Sequence, residues 1–135
     1  IATGRERVRF EGHTAPVNWL SLSPNAKRLA TASSDGTVRL WDATSGAVQA
    51  TLTGSPQQLW KVAFTPDGSR VIAVSSDGGV YLWDAASGEA VSVLRGHADW
   101  AWGLSVGPAG QTLVSGGDDG LIRLWGLPAG QVQWP

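Results

Sequence analysis

Apolar and polar residues alternate in short runs along this chain, and one run of ten residues recurs three times. Its clearest copy, residues 33–42, opens on Ser-Ser-Asp-Gly and continues as Thr-Val-Arg-Leu-Trp-Asp. The tryptophans of the three copies, Trp41, Trp83 and Trp125, are 42 residues apart each time (83 − 41 and 125 − 83). A constant period of this size predicts a repeat architecture. An Asp-Gly turn followed by alternating β-branched and aliphatic residues predicts a β-hairpin.

The same alternation predicts four short strands in each repeat unit. In the first complete unit they cover residues 17–23, 28–33, 37–41 and 47–52. Because helical periodicity of useful length is lacking, we predict an all-β chain of about thirteen short strands.

The ends of the chain fit the same scheme. Residues 1–11 match the fourth strand of the later units and are predicted to be the outer strand of a preceding one. The last fourth strand is predicted at residues 131–134. The complete units are then predicted at residues 12–53, 54–95 and 96–135.

Composition narrows the classes of function without selecting one. A formal net charge of −1 over 135 residues gives no electrostatic reason to expect a nucleic-acid partner. No apolar run is long enough for membrane insertion, and the absence of cysteine excludes disulfides and thiolate metal sites. The composition indicates no particular cellular compartment, because a chain without cysteine folds in reducing and oxidising surroundings alike. The chain begins with Ile1 rather than Met, from which we expect a processed chain or an excerpt of a longer one.

Three features of the repeat units together resemble the WD-repeat (WD40) β-propeller family. Gly-His precedes the first strand at His13 and His97, an Asp-Gly turn stands in the middle, and Trp-Asp or its equivalent closes the unit. The resemblance covers essentially the whole chain. It implies three four-stranded antiparallel blades, which form a partial ring because propellers need about four to eight blades.

The resemblance also implies a buried hydrogen-bond network in each blade. It joins the turn aspartate, the Gly-His histidine, a Ser or Thr on the second strand and the closing tryptophan. The first and third blades have complete sets, respectively His13, Thr31, Asp35 and Trp41, and His97, Ser115, Asp119 and Trp125. The second keeps Asp77 and Trp83 but has Ser55 and Ala73 in the other two positions. Because an incomplete network leaves buried polar groups unsatisfied, we expect the second blade to be the least stable.

An Asp–His–hydroxyl set also invites comparison with a catalytic triad. It recurs in two blades, and neither a nucleophile elbow nor an oxyanion site is recognisable in the sequence. We therefore expect a structural role and no enzymatic activity. The sequence likewise gives no reason to expect a cofactor or a metal site.

Tryptophans outside the Trp-Asp positions mark the candidate binding surface. Alignment of the first strands places Asn18, Trp60 and Trp102 in one column, and Trp100 stands two residues earlier. In the WD-repeat family these columns lie on the narrow face near the channel, together with the residue before the turn aspartate, here Asp118 in the third blade. We predict that these five residues form a partner-binding patch. The alternative is that the tryptophans only fill space between blades.

The leading hypothesis is a non-catalytic interaction module within a larger protein or complex, binding a protein or peptide through this Trp-rich face. One alternative is a purely architectural assembly subunit. Another is a regulatory propeller attached to an enzyme or redox domain outside this chain. The remaining blades are expected either from the same longer protein, which the non-Met start favours, or from other copies of the chain.

Overall fold

The computed structural model describes residues 4–127, and all regular secondary structure in that range is β-strand. The strands are β1 (Val17–Leu22), β2 (Arg28–Ser33), β3 (Val38–Asp42), β4 (Val48–Leu52), β5 (Leu59–Phe64), β6 (Arg70–Ser75), β7 (Val80–Asp84), β8 (Ala90–Leu94), β9 (Ala101–Val106), β10 (Thr112–Gly117) and β11 (Ile122–Gly126). In the first unit the predicted and observed strand ends differ by at most one residue. The all-β fold class predicted from the sequence is confirmed.

These strands form three antiparallel sheets, which we call blade 1 (β1–β4), blade 2 (β5–β8) and blade 3 (β9–β11). In each sheet, strands adjacent in sequence are adjacent in space, because short turns such as the Asp-Gly turns join them as hairpins. Blade 3 has three strands within the described residues. Its predicted fourth strand, residues 131–134, lies outside them.

The segment before β1 lies against blade 1 without pairing as a strand within the described residues. The rings of Phe10 and Trp41 meet edge to face, with centroids 5.7 Å apart. Val8 abuts Gly46 in the same way as Ala50 of blade 1 abuts Gly88 of blade 2. The segment thus occupies the position that an outer strand of a preceding blade would have, and its assignment as that strand stays a prediction.

The hydrophobic core lies between the blades. One cluster joins β2–β4 of blade 1 to blade 2 through side chains such as Val38, Leu40, Val62 and Trp83. A second cluster joins the opposite face of blade 2 to blade 3. Blade 2 is therefore covered on both faces, and five of the six residues of β6 are buried. Burial of a large aliphatic side chain contributes about 1.5–3 kcal/mol, so the two clusters are the main source of stability.

Within residues 4–127, the outward faces of blades 1 and 3 have no neighbouring blade. On β1, Leu20 and Leu22 are 60% and 55% exposed. On β11, Ile122 and Leu124 are 80% and 72% exposed. The sheets form an open arc rather than a closed ring, and each end of the arc presents apolar side chains to solvent.

Candidate interaction surface

Blade 1 contains a continuous chain of side-chain hydrogen bonds. The indole Nε1 of Trp41 donates to Thr31 Oγ1 at 2.9 Å, and that hydroxyl lies 2.6 Å from Nε2 of His13. Nδ1 of the same imidazole lies 2.8 Å from Asp35 Oδ2. Since the Thr31 oxygen already accepts from the indole, its single hydrogen is free to point at Nε2. The imidazole is then neutral and donates from Nδ1 to the carboxylate, so one tautomer satisfies every group.

Blade 3 repeats this arrangement. Trp125 donates to Ser115 Oγ at 2.8 Å, the same oxygen is 2.7 Å from Nε2 of His97, and Nδ1 lies 3.1 Å from both carboxylate oxygens of Asp119. The sequence columns therefore bring together, in both blades, the groups that the resemblance named.

The turn carboxylates are held in their ionised form. Burial by itself would raise the pKa of Asp35, but hydrogen bonds from Thr37 and His13 outweigh it and hold that pKa well below its usual range. For Asp119 the opposing effects are the same in kind. Burial raises its pKa, while backbone N–H groups of Ala98 and Leu121 and the His97 ring lower it to about 2. Each carboxylate ties its turn to the segment before the first strand.

In blade 2 different residues bind the turn aspartate and the closing tryptophan. The phenol of Tyr81 donates to Asp77, and the guanidinium of Arg95 lies 3.3 Å from the same carboxylate. The Trp83 indole donates to the backbone carbonyl of Thr53 at 2.9 Å. Ala73, which replaces the Ser or Thr, is fully buried in the apolar cluster. The expectation of an unsatisfied network in blade 2 is therefore wrong. The sequence comparison considered only four positions in each blade, whereas the replacement donor, Tyr81, comes from the third strand.

The network geometry bears on the comparison with a catalytic triad. The hydroxyls of Thr31 and Ser115 lie on buried residues and are bonded to an indole on one side and an imidazole on the other. A nucleophile needs an open approach, which these oxygens lack.

Among residues 4–127, no cluster of three or more His, Cys, Asp or Glu side chains is arranged to hold a metal ion. In the same range, no helix is long and apolar enough to cross a membrane.

The predicted column of Asn18, Trp60 and Trp102 lies at an irregularity in the first strand of each blade, which is β1, β5 or β9. In the pairing of β1 with β2 the register shifts between Val17 and Trp19, which leaves Asn18 as an extra residue. The equivalent shifts leave Trp60 extra in β5 and Trp102 extra in β9. A β-bulge redirects the side chain of its extra residue, so the three bulges aim this column away from the regular pleat.

Each of these side chains is fixed by the residue before the turn aspartate of its own blade. Asn18 Nδ2 donates to Ser34 Oγ at 2.9 Å. The indole of Trp60 donates to Ser76 Oγ at 2.7 Å, and that of Trp102 to Asp118 Oδ1 at 2.7 Å. The same two aligned positions are thus joined by a side-chain hydrogen bond in all three blades.

The patch is also continuous between blades. Trp60 of blade 2 stacks on Trp100 of blade 3, with ring centroids 5.7 Å apart and planes 24° from parallel. Asn18 of blade 1 donates to the backbone carbonyl of Leu59 in blade 2 at 2.9 Å. Trp60 is partly buried against the second apolar cluster, whereas Trp100 and Trp102 are 45% and 50% exposed. Packing between blades thus accounts for Trp60 in part but leaves half the surface of the other two open.

A cleft of about 350 Å³ opens beside this stack. Its walls come from all three blades, and its lining residues are Ser34, Asp35, Gly36, Pro56, Gln57, Gln58, Ser76 and Trp100. Its lining combines polar groups, among them Ser34, whose Oγ donates to Gln58 Oε1 at 3.3 Å, with the side chain of Trp100. This combination suits an extended segment with both a flat apolar group and hydrogen-bonding groups.

Three successive sheets, joined by hairpins and repeating one hydrogen-bond pattern, define this chain as an arc of a β-propeller. The family model described as "WD domain, G-beta repeat" matches residues 4–42, 46–84 and 88–126. These matches cover most of the sequence, so the chain belongs to the WD40 repeat family, as the sequence features predicted.

Individual relatives match over one or two repeats. WD repeat-containing protein 86 from Homo sapiens is 52% identical over 42 residues, which is 31% of this chain and 11% of that protein. Lissencephaly-1 homolog 1 from Paramecium tetraurelia is 43% identical over 47 residues, covering 35% of this chain and 12% of the relative. Small ribosomal subunit protein RACK1y from Oryza sativa subsp. japonica is 35% identical and covers 44% and 20%, respectively. The chain therefore spans a small fraction of the length of these relatives.

Proposed function

We propose that this chain is a non-catalytic interaction module that holds a protein or peptide segment on its Trp-rich narrow face. The observation that carries the proposal is the pair of half-exposed indoles, Trp100, which lines the cleft, and Trp102, which is held by Asp118. Membership of the WD40 family supports a protein-interaction role in general terms. The choice of face rests on the geometry of the patch.

Rigidity supports this choice of face. Trp102 is fixed through its indole nitrogen by Asp118, and Trp100 is stacked on Trp60. An aromatic side chain that is already ordered loses little conformational entropy on binding, which is why tryptophans are enriched among the residues that dominate binding energy.

Charge supports a basic partner segment. Asp99 and Asp118 are exposed next to Trp100 and Trp102, and neither carboxylate forms a salt bridge within the described residues. A lysine or arginine on the partner can lie over an indole face and approach a carboxylate in the same pose. The proposed partner is therefore a segment that carries at least one Arg or Lys beside an apolar residue.

The test is an array of synthetic ten-residue peptides in matched sets, in which Arg and Lys are replaced by Glu and Asp. We expect the chain to bind basic peptides selectively, with binding that weakens as salt is raised. The Trp100→Ala and Trp102→Ala variants should each weaken that binding by about 30-fold, the loss of roughly 2 kcal/mol typical of a dominant aromatic contact.

Trp19→Ala is the matched control, since Trp19 is 48% exposed and lies outside the patch. Its binding should stay within about 3-fold of the unmodified chain, because residues outside the centre of an interface contribute little. Equal losses in all three variants, or no loss at Trp100 and Trp102, would contradict the proposal. Loss of folding in the patch variants, seen by circular dichroism, would favour the packing role instead.

A further inference from the structure

The wall of the cleft holds a hydrogen-bond donor that has no acceptor in the described part of the chain. The hydroxyl of Ser76 accepts from the Trp60 indole at 2.7 Å, and its own hydrogen has no partner there. Its counterpart in blade 1 is Ser34, which accepts from Asn18 and donates its hydrogen to Gln58 Oε1. The two serines occupy the same position in successive blades and line the same cleft, but only Ser76 has a hydrogen left to donate.

Burial makes this unused hydrogen significant. Ser76 is only 8% exposed. Polar groups that are shielded from bulk water nearly always have their hydrogen-bond partners, so an unused donor in the wall of a cleft favours a ligand atom that can accept from it.

Gln58 adds a second donor beside the first. The backbone N–H of Ser76 donates to the Gln58 carbonyl oxygen at 2.9 Å, which holds the two residues next to each other. The side-chain oxygen of Gln58 accepts from Ser34, while its amide nitrogen has no hydrogen-bond partner among the described residues. An amide nitrogen carries two hydrogens, so this part of the cleft has donors to offer and lacks acceptors for them.

The carboxylate of Asp35 also lines the cleft, but its oxygens are already occupied. Oδ1 accepts from the backbone N–H and the hydroxyl of Thr37, and Oδ2 accepts from the His13 ring and the Thr14 N–H. Although burial raises the pKa of Asp35, these hydrogen bonds hold that pKa well below its usual range, so the negative charge is kept. A ligand carboxylate would be repelled by this charge, whereas a neutral oxygen would not.

We propose that the cleft binds a neutral amide carbonyl of the partner segment, with Ser76 and Gln58 as its donors. A carbonyl oxygen has two acceptor positions and can therefore accept from both residues. Because it rests on the proposed narrow-face site, this carbonyl subsite adds a second requirement to the partner. The segment places an apolar residue on Trp100 and an amide carbonyl, from its main chain or from an Asn or Gln side chain, in the adjoining cleft.

The test compares peptides that differ in one carbonyl group. The probes are fluorescein-labelled ten-residue peptides that carry one Arg-Leu pair in a Gly-Ser background, and fluorescence anisotropy measures their binding. In the first arm each peptide bond in turn becomes a thioamide, whose sulfur is a weaker acceptor than oxygen. In the second arm each background position in turn is Gln, Glu or Met, since Met has a similar length but no amide.

We expect one position to respond, in the first arm for a main-chain carbonyl and in the second for a side-chain amide. Loss of the carbonyl at that position should weaken binding about 5-fold, as expected for one hydrogen bond. A Glu peptide should bind no more tightly than the Met peptide, because its carboxylate faces the charge of Asp35.

Variants of the chain test the assigned donors. Ser76→Ala removes the hydrogen, and Ser76→Asp removes it while keeping an acceptor for the Trp60 indole, as Asp118 does for Trp102. In both variants the 5-fold preference should disappear, and Gln58→Met should lower it to about 2-fold. Ser69→Ala is the matched control in the same blade, because Ser69 is exposed at the opposite end of β6. It should keep the full preference.

The outcomes separate this subsite from the narrow-face site itself. Equal binding of all probes by the unmodified chain, a preference for Glu, or a preference that survives in folded Ser76 variants would overturn the carbonyl subsite alone, because every probe keeps the Arg-Leu pair. Circular dichroism verifies folding, and the peptide comparison on the unmodified chain needs no variant. Absence of binding by every probe would overturn the proposed function and the subsite with it.

Discussion

Replacement of Thr31 by valine tests whether the hydrogen-bond network holds blade 1 together. The substitution keeps the shape and β-branching of the side chain and removes only its hydroxyl. That hydroxyl accepts from the Trp41 indole at 2.9 Å and lies 2.6 Å from Nε2 of His13. Both partners are shielded from water, with side chains that are nearly fully buried. Water therefore cannot take the place of the lost hydroxyl.

The expected loss follows from these two contacts. A buried donor or acceptor left without a partner costs about 1–3 kcal/mol, so two such groups lower the free energy of unfolding by roughly 2–6 kcal/mol. This is a large part of the 5–15 kcal/mol that typically stabilises a domain. The matched control is Thr51→Val on β4, where the threonine is exposed, and this change should stay within about 0.5 kcal/mol.

Urea unfolding, followed by tryptophan fluorescence and by circular dichroism, measures both variants. Agreement of the two probes checks that the transition is two-state. In a His13→Leu background, Thr31→Val should cost about 1–2 kcal/mol less, since residues of one hydrogen-bond network are not additive. If Thr31→Val and Thr51→Val have the same unfolding midpoint, the network does not stabilise blade 1 and the reasoning fails.

Two further predictions concern blade 2 and its turn. Backbone amides of β6 and β7 should exchange with solvent most slowly, since both faces of this blade are covered. Faster exchange there than in β2 and β10 would contradict this and would show that the altered hydrogen-bond network weakens blade 2. Gly78→Ala and Gly120→Ala place the same strain on a left-handed backbone, with φ of 84° and 79°, but only the first brings a Cβ within 2.7 Å of the His97 carbonyl oxygen. We therefore expect Gly78→Ala to lower the free energy of unfolding by about 1–3 kcal/mol more than Gly120→Ala in urea titrations of dilute chain, and equal values would contradict this.

The fold was predictable because its signals are local and repeated. Each Asp-Gly turn specifies a hairpin, and alternation specifies the strands on either side, so a period of 42 residues identifies three equivalent sheets. Errors at strand ends are limited to about one residue because turn residues mark the boundaries. The open arc was predictable because three repeat units are fewer than the four or more blades that a closed propeller needs.

The candidate surface was only partly predictable. Alignment identified the columns of Trp60 and Trp102, but the β-bulge that gives each its direction is a register shift with no sequence signature in these strands. The role of Tyr81 was missed for a related reason. Its column holds Arg39 and Arg123 in the other blades, and comparison position by position cannot show that a phenol there reaches the Asp77 carboxylate.

Trp60 and Trp102 also show that exposure at this surface depends on the neighbouring blade. They stand in the same column, at equivalent bulges, and each donates its indole hydrogen to the residue before the turn aspartate. Trp60 is more buried because Trp100 of the next blade stacks on it, whereas the part of the chain that the structure describes has no blade after that of Trp102. Trp60 therefore serves packing between blades as well as the patch, whereas Trp102 keeps half of its surface exposed. Replacement of Trp102 should accordingly weaken partner binding with little effect on the packing between blades.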